Sequence, residues 1–122
     1  MKMKLNEIQK VLQAEVLTGE NHLDIEIESA FGADLMSDVL AFVNQGTLLL
    51  TGLANLQVIR TAEMSEIHAI VFVRGKNPTE EMIELAIDNE LVLMRTEDIM
   101  YVACGKLFQE GLEGVDIQGV VR

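Results

Sequence analysis

At 122 residues, 49% of them hydrophobic, the chain has the length for one domain with a single sizeable core. Twenty acidic against nine basic residues give a formal charge of −11, which argues against nucleic-acid binding, because that rests on neutralising phosphates with Lys and Arg. No apolar run approaches the ~20 residues of a membrane-spanning helix, and the single cysteine, Cys104, allows no internal disulfide and by itself no zinc site.

In chain order, Lys4–Gln13 reads as a helix with Leu5, Ile8, Val11 and Leu12 on one face and Asn6 as a cap near its start. Ala14–Leu17 reads as a short strand closed by the polar turn Thr18–Asn21. Asp24–Ala30 alternates strictly, with Ile25 and Ile27 opposed to Glu26 and Glu28, as a half-exposed strand in an edge hairpin does. Gly32 then breaks the pattern. Asp34 is placed to cap a helix over Leu35–Val43, whose apolar stripe is Leu35, Met36, Val39, Leu40 and Val43, and Asn44-Gln45-Gly46 is a glycine stop.

The segment Thr47–Thr51 (TLLLT) has the continuous apolar character of a strand buried on both sides, and a tight turn leads into a helix from Asn55 to about Ser65 with Val58, Ile59 and Ala62 inward. His68–Val73 is a second such strand. Asn77 as cap, Pro78 at the first helical position and Glu80 predict a helix to about Asn89, with Met82, Ile83, Ala86 and Ile87 inward. Leu91–Met94 is the next strand. Thr96 is the expected cap of a last helix bearing Ile99, Met100, Ala103, Cys104 and Leu107, ended by Gly111. Strands alternating with crossover helices predict an α/β fold: three layers, α/β/α, around a small, mostly parallel sheet. One domain over 1–112 and a loosely held tail over 113–122 is the expected division.

The chain carries few catalytic signatures. Gly75-Lys76 and Gly105-Lys106 are followed by Asn77 and Leu107, so neither completes a P-loop, and no GxGxxG or G-x-S-x-G is present. His22 and His68 lack metal-ligand spacing, and Cys104 lies on an inward helical stripe. No cofactor and no metal are expected. The seven methionines are mostly expected as core filler, with an adaptable dimer surface as the sharper alternative.

One constellation is less bland. In a parallel sheet the strands end on one rim, where ligands usually bind. Those ends carry Thr51, Gly52 and Asn55, then Arg74, Gly75 and Lys76, then Arg95 and Thr96. Cationic side chains beside helix N-termini are what an anion site requires. The alternative is that Arg74, Lys76 and Arg95 balance Glu80, Glu81, Glu97 or Asp98.

At GADLMSDVLAFV (32–43), LLLTGLANLQVIRTAEM (48–64) and AIVFVRG (69–75) the sequence resembles the stand-alone bacterial and archaeal DRTGG-domain proteins, over nearly the whole chain to about Gly111. The same domain type occurs between the CBS domains of some pyrophosphatases, and it is similar to the N-terminal domain of HPr kinase/phosphorylase. Where that family has its Asp-Arg pair, this chain reads Thr51-Gly52-Leu53-Ala54-Asn55. Where the family has Thr-Gly-Gly, it reads Val73-Arg74-Gly75, which moves positive charge to that rim. The resemblance implies a regulatory or architectural domain at a dimer interface, and the kinase domain of HPr kinase is absent from these residues. The expected protein is a non-catalytic regulatory module, homodimeric, binding a partner protein or a small anionic ligand. The alternative is a sensor of an adenine nucleotide or other phosphorylated metabolite at the rim. The start Met1-Lys2-Met3-Lys4, followed by polar residues, carries the expectation of a cytoplasmic protein without a signal peptide.

Overall fold

Three apolar segments decide the architecture, because each can be buried only with cover on both sides. The computed structural model describes residues 2–117. Its elements are β1 (Met3–Lys4), α1 (Leu5–Leu12), β2 (Glu15–Thr18), a 3₁₀ turn (Glu20–His22), β3 (Glu26–Ile27), β4 (Ser29–Gly32), α2 (Met36–Phe42), β5 (Thr47–Thr51), α3 (Leu56–Met64), β6 (Ala69–Phe72), α4 (Glu80–Asp88), β7 (Val92–Arg95), α5 (Met100–Gln109) and β8 (Glu113–Gly114). The main sheet has the order β2-β7-β6-β5-β4-β8, and only the β2–β7 pair is antiparallel. β1 and β3 make a separate two-residue ladder.

Period-two alternation sends each strand's side chains to two cores. Leu48, Leu50, Val71, Val73, Val92 and Met94 meet Leu5, Ile8, Leu12, Ala103 and Leu107 of α1 and α5. Leu49, Ile70, Phe72 and Leu93 meet Met36, Val39, Val58, Ile59, Ala62, Met82 and Ala86 of α2, α3 and α4. Each large side chain so enclosed contributes about 1.5–3 kcal/mol. This is the expected three-layer α/β/α arrangement. From β4 to β7 the chain steps along the sheet in one direction, and its helices stay on one face. α5 returns in the other direction and crosses the opposite face, as crossovers of a single hand require.

The first third departs from expectation. The alternating strand over Asp24–Ala30 divides in two: β3 pairs β1, and β4 joins β5 in parallel. The break falls at Glu28, whose N–H donates to the Gly46 carbonyl at 2.8 Å. No hairpin links β2 to this region, since β7, β6 and β5 stand between β2 and β4. β2 bonds β7 through a bulge between Val16 and Thr18. There the Thr18 hydroxyl accepts from Leu93 N–H at 3.0 Å and donates to the Leu91 carbonyl at 2.7 Å, replacing the missing ladder bonds.

Several helix starts also move. Lys4, not Asn6, precedes α1, and its N–H donates to Glu7 at 2.9 Å. Asn77 is not the cap of α4; the helix starts two residues later than expected, and Thr79 caps it, accepting from Met82 N–H at 3.2 Å. Thr96 does not cap α5, which begins after Ile99. Asp34 does not cap α2 either, because its carboxylate is held at the end of β5. Asn55 does cap α3, accepting from Val58 N–H at 3.3 Å. Leu35, Leu40, Met64, Ile87 and Ile99, expected inward or beside apolar faces, are exposed. Glu113–Gly114 of the expected tail pair with β4 as a sixth strand. The expectation for 118–122 lies outside the described residues.

Candidate functional site

β4, β5, β6 and β7 run parallel, so Gly32, Thr51, Phe72 and Arg95 end on one rim. All eight residues proposed from the sequence lie along it, yet in two different states.

In the half formed by β5 and β6, Arg74 takes a left-handed conformation at φ +59, which a residue with a side chain adopts at a cost of about 1–2 kcal/mol. Its N–H donates to the Asp98 carbonyl at 2.8 Å, fixing the turn. The side chain folds back over Gly52: a β-carbon built there would stand 3.2 Å from Arg74 Nη2. Among the described residues no carboxylate comes within ion-pair distance of Arg74 or Lys76, and both are exposed. The N-terminus of α3, capped by Asn55 three residues after Gly52, carries the partial positive charge of a helix start.

Asp34 is the residue that sequence reasoning misplaced. Its Oδ1 accepts from Gly52 N–H at 2.8 Å and from the Thr51 hydroxyl at 3.0 Å, while Thr51 Oγ1 accepts from Leu53 N–H at 3.1 Å. The Gly52 N–H expected to face a ligand is therefore already satisfied by a carboxylate from the β4–α2 loop. The glycine-containing turn was a usable signal for a bound anion; nothing in the sequence marked that anion as the chain's own.

The half around β7 is closed. Arg95 donates from Nη1 to Glu15 at 3.1 Å, from Nη2 to Glu97 at 2.8 Å and from Nε to the Gly75 carbonyl at 3.2 Å. Buried Thr96 donates to the Leu12 carbonyl at 3.0 Å and accepts from Asp98 N–H at 3.3 Å. Lys106 pairs with Asp98 at 2.8 Å. Gly75, at φ +64, leaves room for the Glu97 carboxylate, 2.8 Å from where a β-carbon would stand. Here the charge-balancing reading holds for Arg95, with Glu15 as a partner that the sequence did not indicate.

A second concavity, about 320 Å³, lies on the other helical face, between α5 and the β4–β8 edge. Ala30, Gly32, Cys104, Leu107 and Leu112 line it, with Tyr101 and Phe108 on its flank. Burial raises the Cys104 thiol above its ordinary pKa, so it stays protonated and is a poor nucleophile. No helix among the described residues is long and apolar enough to cross a membrane.

Compared with known proteins, the chain matches the family model described as "DRTGG domain" over residues 7–107. No curated protein matches it. Among solved structures, it superposes on the CBS and DRTGG domains of the regulatory region of Clostridium perfringens pyrophosphatase, complexed with the activator diadenosine tetraphosphate, with a TM-score of 0.74 at 18% identity. The likeness covers 98% of this chain and 50% of that one, so the chain spans half of that relative's length. At this identity it is a likeness of fold.

Proposed function

We propose that this chain, which belongs to the DRTGG domain family, is a non-catalytic regulatory module, homodimeric, that responds to a small anionic ligand at the rim between β5 and β6. The observation that carries the reading is the Arg74 guanidinium, lying over Gly52 beside the α3 N-terminus with no carboxylate partner among the described residues. A cation held in strained backbone, close in sequence and fold to the positive end of a capped helix, is arranged to receive negative charge. Thr51, Gly52 and Asn55 shape the floor; Arg74, Gly75 and Lys76 supply the wall. Arg95 and Thr96 support it from behind, since their own polar groups are already engaged.

Asp34 narrows the ligand class. Its carboxylate repels a bare anion from Gly52 but offers an acceptor to a hydroxyl, so a phosphorylated metabolite with a sugar fits better than inorganic phosphate. Adenine nucleotides come first, supported by the activator in the related pyrophosphatase region. Isothermal titration and thermal melting with AMP, ADP, ATP, diadenosine tetraphosphate and phosphate test this. A ligand at one hundred times its Kd stabilises the fold by about 2.7 kcal/mol. Arg74→Gln is expected to weaken the best ligand at least about tenfold, as loss of a charge-assisted contact does. Absence of any shift across the panel overturns the sensor reading.

A further inference from the structure

We infer that the outer face of α5 is the two-fold contact through which two copies of this chain associate, each inserting Tyr101 and Phe108 into the concavity beside the other's α5. The inference rests on the homodimeric reading above and gives it a location.

Charge selects the helix. Two copies that each carry −11 repel unless they meet at a patch without carboxylates. α5 (MYVACGKLFQ) contains none, and its one cation, Lys106, is paired with Asp98. α4 presents Glu80, Glu81, Glu84 and Asp88, and α1, α2 and α3 each carry an acid.

Area agrees. Tyr101 and Phe108 are 85% and 72% exposed, which offers about 300 Å² at ~150–250 Å² per aromatic side chain. Val102, 39% exposed on the same helix, adds to that apolar area. A stable interface of about 800 Å² per partner, about 57% of it non-polar, asks for roughly 450 Å². Half-buried Ala30 and Cys104 on the floor of the concavity extend the patch.

Shape favours a second copy over another partner. An isologous contact needs projection and recess on the same patch. Tyr101, Gly105 and Phe108 follow one another at helical spacing, and a β-carbon on Gly105 would meet nothing within 4 Å. Gly105 is thus a notch between two aromatic projections, where an antiparallel copy of α5 can cross closely. The adjoining 320 Å³ has room for two rings, since about 150 Å³ accepts a benzene.

Sedimentation equilibrium on the full chain tests the placement. The wild type is expected to be a dimer at micromolar concentration. Tyr101→Arg and Phe108→Arg should each raise the dimer Kd at least about tenfold, whereas Ile87→Arg, at an exposed apolar site on acidic α4, should not. In a Cys104→Ser background, Gly105→Cys should oxidise to a covalent dimer, a readout that stands even if an arginine variant folds poorly. A wild-type dimer that both α5 arginine variants leave intact, with no cross-link at Gly105→Cys, overturns this placement while homodimerism survives. A wild type that stays monomeric overturns homodimerism and the placement together.

Discussion

The two halves of the strand-end rim start from nearly the same local sequence and end in opposite states. Val73-Arg74-Gly75 and Met94-Arg95-Thr96 each put an arginine at or just past the end of a buried parallel strand and ahead of a helix. Arg95 finds three acceptors, from β2, its own loop and the neighbouring turn. Arg74 finds none among the described residues, and bends over a glycine instead. The difference lies in what flanks each strand. β7 borders the antiparallel edge strand β2, which brings Glu15 opposite Arg95. β6 lies between two parallel strands, and the end of β5 near Arg74 supplies Thr51 and Gly52, whose own acid, Asp34, is already bonded to them. An arginine at a strand end becomes structural or available according to its neighbour across the sheet.

The sharpest way to break this contrast is at Thr96. Thr96→Val keeps the shape and removes a hydroxyl that serves the Leu12 carbonyl and Asp98 N–H in a buried setting. Unpaired buried groups cost about 1–3 kcal/mol, so the urea midpoint should fall by the equivalent of about 2 kcal/mol with an unchanged slope. A loss near zero would mean that the β7 half is held by packing alone.

Arg95→Met is a smaller perturbation. The Arg95 side chain is 25% exposed and its two carboxylate partners are 63% and 79% exposed, so solvent screens both pairs and the expected loss is about 0.5–1 kcal/mol. Raising the salt to about 1 M shortens the screening length to roughly 3 Å, and the gap between variant and wild type should then shrink. A gap that does not respond to salt would assign the effect to the aliphatic stem of Arg95 packing on the sheet edge.

The same contrast explains how far the sequence can be read. β5, β6 and β7 were legible because their apolar runs admit only a doubly covered strand, and the alternation within them sorts side chains correctly to two cores. Asn55 was legible as a cap because its bond to Val58 N–H spans three residues. Asp34 was not, because its partners are 17 and 18 residues away and a helix start lay closer. Thr96 misled for a similar reason: its hydroxyl serves Leu12, 84 residues earlier. The cationic stretch after each strand was visible, but which arginine would stay free depended on Glu15, far away in the chain and adjacent only once the sheet is ordered.

Arg74→Gly gives the smallest expected change in stability and separates stability from binding most cleanly. The backbone at 74 sits at φ +59, where glycine fits without strain. Removing the side chain breaks no ion pair, because none is formed among the described residues, and the backbone bond to Asp98 remains available. Relief of about 1–2 kcal/mol of left-handed strain is offset by roughly 0.5–1 kcal/mol of added unfolded-state entropy. The net effect should be a gain of about 0.5 kcal/mol, a small rise in melting temperature. Binding of any phosphorylated ligand at the rim should weaken in the same variant. A protein made slightly more stable by losing an arginine, and less able to bind, would identify the strain at position 74 as retained for recognition. A variant that is less stable and binds unchanged would show the guanidinium to be a prop for the Gly52 turn, and the two halves of the rim would then differ in partner but not in purpose.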